Sequence, residues 1–234
     1  MAKTFKNLKD QLKLQLGTKT DQTSEDDSWL GTWVNDAYLD LTTQNKFYFN
    51  LGEMGTMVVS TPKDLRFPLL EETEEISVGS GENSYNLSNL RYSCMFVYDI
   101  RDITNDVNLQ RINYRKFRTY DTSTTGSPTQ YTRYGNKLYF YPTLDDDISF
   151  KISYRRRPEA MTSDDEYPVI DEEWHQAILT LAVIKGFLWR MEYEKARMRI
   201  MELASFIKSH VGILDNETYD ENDNVLITIH PLYV

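Results

Sequence analysis

The apolar residues of this chain change their spacing twice, and that limits the folds open to it. At the start they recur at helical intervals. Phe5, Leu8, Leu12 and Leu16 form one stripe, with Thr4 placed to cap it and Gly17 to end it. Leu30, Trp33, Val34, Ala37 and Leu41 form a second, widened by Tyr38, in a helix expected from about Asp27 to Lys46. The polar run "TKTDQTSEDD" links the two. The first helix is too short to stand alone, so it is expected to pack on a neighbour rather than lie on a membrane. The tryptophans read as core anchors.

After "NLGEMG" the period drops to two. "TMVVSTP", "EEISVGSG" and "YSCMFVYDI" are short β-branched or apolar runs ended by turn residues. "VNLQRINYRKFRTYD" is expected to be helical through Leu109, Ile112 and Phe117. "TQYTRY" and "KLYFYP" make a hairpin about Gly135-Asn136. "ISFKISYRRRP" puts Ile148, Phe150, Ile152 and Tyr154 on one face and Ser149, Lys151 and Ser153 on the other.

Helical spacing then returns. Asp171 is an expected N-cap, with Glu172 and Glu173 in the first turn, ahead of a stripe from Trp174 through Ala177, Ile178, Leu181, Ile184 and Leu188. Gly186 inside that helix predicts close packing. A fourth helix carries Ala196, Ile200, Leu203 and Ile207 and is expected to end at Gly212. The fold class predicted is α+β: a four-helix bundle split in sequence by a mostly antiparallel β insertion, with an extended C-terminal arm. The expected bounds are 1–50 and 160–212 for the bundle, 51–159 for the insertion and 213–234 for the arm.

The arm opens with "DNETYDENDN", five acids and no base, and closes with "VLITIHPLYV". Two readings stay open: a last strand added to the chain's own β unit, or an arm that pairs with another chain by strand addition.

Composition narrows function. The 234 residues carry a formal charge of -10, which argues against broad gripping of nucleic acid while allowing a local basic patch. The one cysteine, Cys94, makes an intrachain disulfide or a cysteine zinc site impossible. His175, His210 and His230 form no motif with it. "MAKTFKNLKDQLKLQLG" lacks the apolar core of a signal peptide, and no run approaches a membrane span, so a soluble protein made in a reducing cytoplasm is expected. Asp145, Asp146 and Asp147 lie in a turn without the spacing of a calcium loop, and "GSGENS" lacks the GK[ST] or GxGxxG of a phosphate loop. Neither a metal nor a cofactor is called for. "YRRRP" is a positive cluster suited to solvent or to an acidic neighbour.

Three stretches resemble the head-to-tail adaptor (neck) proteins of short-tailed bacteriophages. They are "WVNDAYLDLTTQNKFYFNLGE" with "GTMVVSTP", then "SPTQYTRYGNKLYFYPTLDDDISFKISYRRRPEAMT", then "PVIDEEWHQAILTLAVIKGFLWR". The resemblance implies a non-enzymatic virion protein of the neck, made in the host cytoplasm. It implies a homo-oligomeric ring of twelve copies under the portal protein, docking a tail nozzle or other tail proteins. Double-stranded DNA would pass through its channel without specific binding. It implies a C-terminal segment that grasps the portal, with Asp215, Tyr219, Val225, Leu226, Ile227, Ile229, Leu232 and Tyr233 as contact candidates. Tyr154, Arg155, Arg156 and Arg157 are the candidates for contact between subunits. The rival readings are a tyrosine-rich β module recognising a glycan or peptide through Tyr139 and Tyr141, and a hydrolase with a carboxylate pair.

Overall fold

A computed structural model describes residues 2–17, 24–61, 67–214 and 227–230. In chain order the elements are α1 (Phe5–Gln15), α2 (Ser24–Thr43), β1 (Lys46–Asn50), β2 (Thr56–Ser60), β3 (Glu71–Val78), β4 (Ser84–Asn86), β5 (Cys94–Asp102), β6 (Val107–Asn108), β7 (Gln110–Arg111), α3 (Tyr114–Phe117), β8 (Gln130–Tyr134), β9 (Lys137–Tyr141), β10 (Ile148–Arg156), α4 (His175–Trp189), α5 (Tyr193–Leu214) and β11 (Ile227–His230). The class is α+β, with antiparallel sheets apart from the two-residue parallel pair β7–β8. The chain divides into two compact units, Met1–Pro68 with Pro158–Val234, and Leu69–Arg157.

In the first unit α4 is the centre, packed against α1, α2 and α5. From His175 to Phe187 only Gln176 and Lys185 keep part of their surface in water. The expected stripe is therefore a helix buried nearly all round, because it has neighbours on every side. Lys185 meets its partner on α2, Asp40, at 2.7 Å. Thr4 caps α1 as its sequence position predicts: its hydroxyl accepts from the Asn7 N–H at 3.1 Å. Gly17 follows with φ +64, the left-handed conformation that ends a helix cheaply in glycine. The Phe5 N–H donates to the Glu166 carbonyl at 2.8 Å, so α1 is held by a segment far away in sequence.

Four expectations need correcting. The second helix stops at Thr43, and Lys46 opens β1. "KFYFN" alternates exposed and buried residues, with Phe47 and Phe49 inward, which suits a strand better than one more helical turn. Residues 107–117 are two short strands and a single helical turn, since Arg111 and Gln110 pair with β8 instead. Finally, α5 runs through Gly212 to Leu214. Asp171 precedes a short 3-10 turn, Glu172–Trp174, and makes no side-chain cap bond; α4 proper begins at His175.

The second unit is built on β10. It pairs antiparallel with β3 on one side and β5 on the other, with register shifts at Ser153/Tyr154 and Arg155/Arg156. Ile148, Phe150, Ile152 and Tyr154 are all buried, as the period-two pattern predicts. A second sheet, in the order β4-β9-β8-β7, supplies Tyr131, Leu138 and Phe140 to the same core. Phe140 stacks on Phe150 at 4.7 Å between centroids, joining the two sheets. The β8–β9 turn has Gly135 at φ +59, as a tight hairpin requires.

Candidate docking surfaces

The tyrosine-rich hairpin has two faces. Tyr131, Leu138 and Phe140 fill the core. Opposite them, Thr132 pairs with Tyr139, Tyr134 with Lys137 and Gln130 with Tyr141 across the strands. Onto this outer face lies the segment of α3. Tyr114 stacks on Tyr134 at 4.1 Å, nearly parallel; Phe117 meets Tyr139 at 5.7 Å; Tyr120 meets Tyr141 at 4.3 Å. Residues 114, 117 and 120 recur every third position, so one side of this segment forms an aromatic ladder. Arg115, Lys116 and Arg118 fall between the rungs and are exposed. Asn113 starts the turn by accepting the Arg115 N–H on its side-chain oxygen at 2.9 Å. The rings of Tyr139 and Tyr141 are thus half-buried under protein and do not form an open platform for a sugar; Tyr134 is the exposed rung, at 58 %.

Arg133 fixes the base of this face. Its guanidinium donates to the Met95 carbonyl at 2.5 Å and the Cys94 carbonyl at 3.1 Å. Beside it lies an open groove of about 490 Å³ lined by Arg111, Ile112, Asn113, Tyr114, Thr132 and Arg133.

The arginine run at the end of β10 is less free than its sequence suggests. Tyr154 is buried, with its hydroxyl 3.1 Å from Glu74. Burial first, and that carboxylate second, push its pKa up to about 12. Its ring belongs to the core of its own unit. Arg155 and Arg156 are half-buried, and Arg156 lies 3.4 Å from Glu72 and over the Tyr92 ring. Arg157 is the exposed member.

Sequence reasoning placed every tryptophan in the core. Only Trp174 is there, at 2 % exposure. Trp29 and Trp189 are 51 % and 63 % exposed, and Trp33 is half-buried. Trp189 lies 6.5 Å from Trp29 and 5.8 Å from Trp33. The sequence held a signal for this: Trp29 sits one position off the Leu30–Trp33–Val34 stripe, and Trp189 follows the last buried turn of α4.

A family model described as SU10 adaptor protein matches residues 3–223. The chain belongs to that family. No curated protein sequence matches it. As a member it is a structural phage adaptor, and the resemblance read from its three stretches holds at the level of the family.

Of the adaptor's candidate portal contacts, Asp215, Tyr219, Val225, Leu226, Leu232 and Tyr233 lie outside the described residues. Ile227 and Ile229 are on β11, which runs antiparallel to β2 with Ile227 opposite Val59 and Ile229 opposite Met57. The chain's own sheet thus takes up this strand, in the order β1-β2-β11. Asp147 and Asp145 tie a loop: the Asp147 carboxylate accepts the Ser80 N–H at 2.8 Å, and the Ser80 hydroxyl donates to the Asp145 carbonyl at 2.6 Å. Cys94 is buried, which pushes its thiol pKa up. Among the described residues no cluster of His, Cys, Asp and Glu could hold a metal, and no helix is long and apolar enough to cross a membrane.

Proposed function

We propose that this adaptor sits in the virion neck, adds as a ring of twelve copies below the portal, extends the DNA channel and docks the nozzle or other tail proteins. The observation that carries the reading is the family match over nearly the whole chain. In this reading α1, α2, α4 and α5 are the helical bundle, and Leu69–Arg157 is a β insertion within it. The portal is grasped by the C-terminal segment through Asp215, Tyr219, Val225, Leu226, Ile227, Ile229, Leu232 and Tyr233. Arg155, Arg156 and above all Arg157 reach the neighbouring copy. The exposed pair Trp29 and Trp189 supports an assembling protein: their rings gain nothing in water, and a second copy would cover them. A net charge of -10 suits a channel along which DNA slides.

The test is cosedimentation of the purified adaptor with its phage's portal ring, followed by electron microscopy. A ring of added density on the narrow end is expected. A chain truncated after Leu214 is expected to keep its helical signal and lose the portal. Undiminished association of that variant would sink the C-terminal contact, and no association of the full chain would sink the whole reading.

A further inference from the structure

The charge of this acidic chain is unevenly placed. Residues 107–144 carry six bases, Arg111, Arg115, Lys116, Arg118, Arg133 and Lys137, against one acid, Asp121. That stretch is net +5 in a chain of net -10. The fold gathers most of it around α3 and the outer face of the hairpin beneath it, with Arg111 at the sheet edge beside them. Arg115, Lys116 and Arg118 stand between the rungs of the aromatic ladder, Arg111 lines the groove beside them, and Lys137 is the strand partner of Tyr134. All five are exposed. Among the described residues none of the five forms an ion pair with a carboxylate. Arg111 instead lies over the Phe96 ring at 5.0 Å. Asp121 spends its carboxylate on Ser123, accepting the backbone N–H at 2.9 Å and the hydroxyl at 2.7 Å.

We propose that this face, Arg111 with Arg115, Lys116, Arg118 and Lys137, holds the phosphate backbone of duplex DNA. Its chemistry decides between phosphate and protein. A protein interface draws its affinity from apolar anchors buried in dry pockets. Here most of the aromatic rings pack on one another, Tyr134 alone of the ladder being exposed, and the groove between Arg111 and Arg133 is mostly polar. A phosphate backbone needs charge and hydrogen-bond donors without an apolar core, and the arginine forks and the exposed Asn113 amide supply them. The ladder pre-orders the cations, so little conformational freedom is lost on binding. No base is read, because nothing on this face is shaped for a groove edge. The assignment goes beyond DNA passing through a ring. It stands on the unit Leu69–Arg157 and does not depend on the portal.

Fluorescence anisotropy of a short labelled duplex, titrated with the full-length adaptor over a salt series, tests it. Binding at low salt is expected, with log K falling linearly in log salt at a slope of about -3 to -5, about -0.9 per phosphate neutralised. The triple variant Arg115→Gln, Lys116→Gln, Arg118→Gln is expected to bind at least about tenfold more weakly, with a slope flatter by about 2 to 3. Because α3 is short, a second variant, Arg111→Gln with Lys137→Gln, carries the same expectation on strands. Unchanged thermal unfolding certifies both. No binding by the wild type at low salt overturns the proposal. So does unaltered affinity in both variants. Displacement of the duplex by polyglutamate at a lower charge concentration than unlabelled duplex requires overturns it too, since that preference would assign the face to an acidic protein. Portal cosedimentation of the triple variant is expected to match the wild type.

Discussion

Gly186 on α4 lies so close to Leu16 that a Cβ added to it would stand 2.8 Å from both Leu16 methyl carbons. The Trp33 ring would be 3.3 Å away on the same side. Replacing the glycine by alanine gains about 1 kcal/mol of helix propensity and loses about 1–3 kcal/mol to overpacking. Gly186→Ala is expected to be destabilising by about 1 kcal/mol net, and Gly186→Val by more. Chemical denaturation measures both. Adding Leu16→Ala should relieve part of the alanine penalty, which a double-mutant cycle detects as coupling.

Met191 closes α4 in the left-handed conformation, at φ +59. Its N–H donates to the Leu188 carbonyl and that of Glu192 to the Phe187 carbonyl, at 3.0 and 2.9 Å, the paired bonds of a glycine-type helix stop. A side chain is strained there, and this one is 73 % exposed, so it returns little packing. Met191→Gly is expected to raise stability by about 0.5–1 kcal/mol, read as a higher denaturant midpoint with an unchanged slope.

His175 is buried at 2 % exposure, and its Nδ1 accepts the Lys3 N–H at 3.0 Å. Burial is the main reason its pKa lies below the ordinary value; Lys3 pushes the same way, and the Ile170 carbonyl and Glu172 oppose it. The unfolded chain therefore binds a proton that the folded chain refuses. Stability from this site is full above about pH 6.5 and is lost as pH falls through that value toward the lowered folded pKa. The melting temperature should drop over that range. His175→Gln should start lower and show a shallower drop, and an equally steep one would remove His175 as the cause.

Phe117 is the buried rung of the ladder, at 6 % exposure. Phe117→Ala is expected to cost about 3 kcal/mol and to release Tyr114 and Tyr120 from the sheet. Hydrogen exchange should show lost protection at residues 114–120 ahead of β10. Duplex affinity should fall as well, although no cation has been removed, because the positive side chains lose their fixed display.

Much of this fold can be read from spacing alone. The alternation through Ile148, Phe150, Ile152 and Tyr154 needed no tertiary information, because one face of β10 is buried and the other is wet. Thr4, Gly17 and Gly186 were equally legible, since each answers a local backbone demand. The misreadings share a cause. "KFYFN" and "LQRINYRKF" carry apolar residues at spacings that suit helix or strand, and pairing with another strand, β2 or β8, decides between them. The aromatic ladder was invisible for the same reason: Tyr114, Phe117 and Tyr120 find Tyr134, Tyr139 and Tyr141 only after the hairpin has formed. The exposed tryptophans were missed because residue type was weighed above position on the helix.

The bond from Phe5 to Glu166 has a consequence for how the chain is made. Translation delivers α1 well before α4, which leaves the ribosome about 160 residues later, an interval on the order of ten to thirty seconds. The unit Leu69–Arg157 is contiguous, so it can close while synthesis continues. The helical unit brackets it in sequence and is completed after it, and in the meantime α1 and α2 have each other but lack the cover of α4.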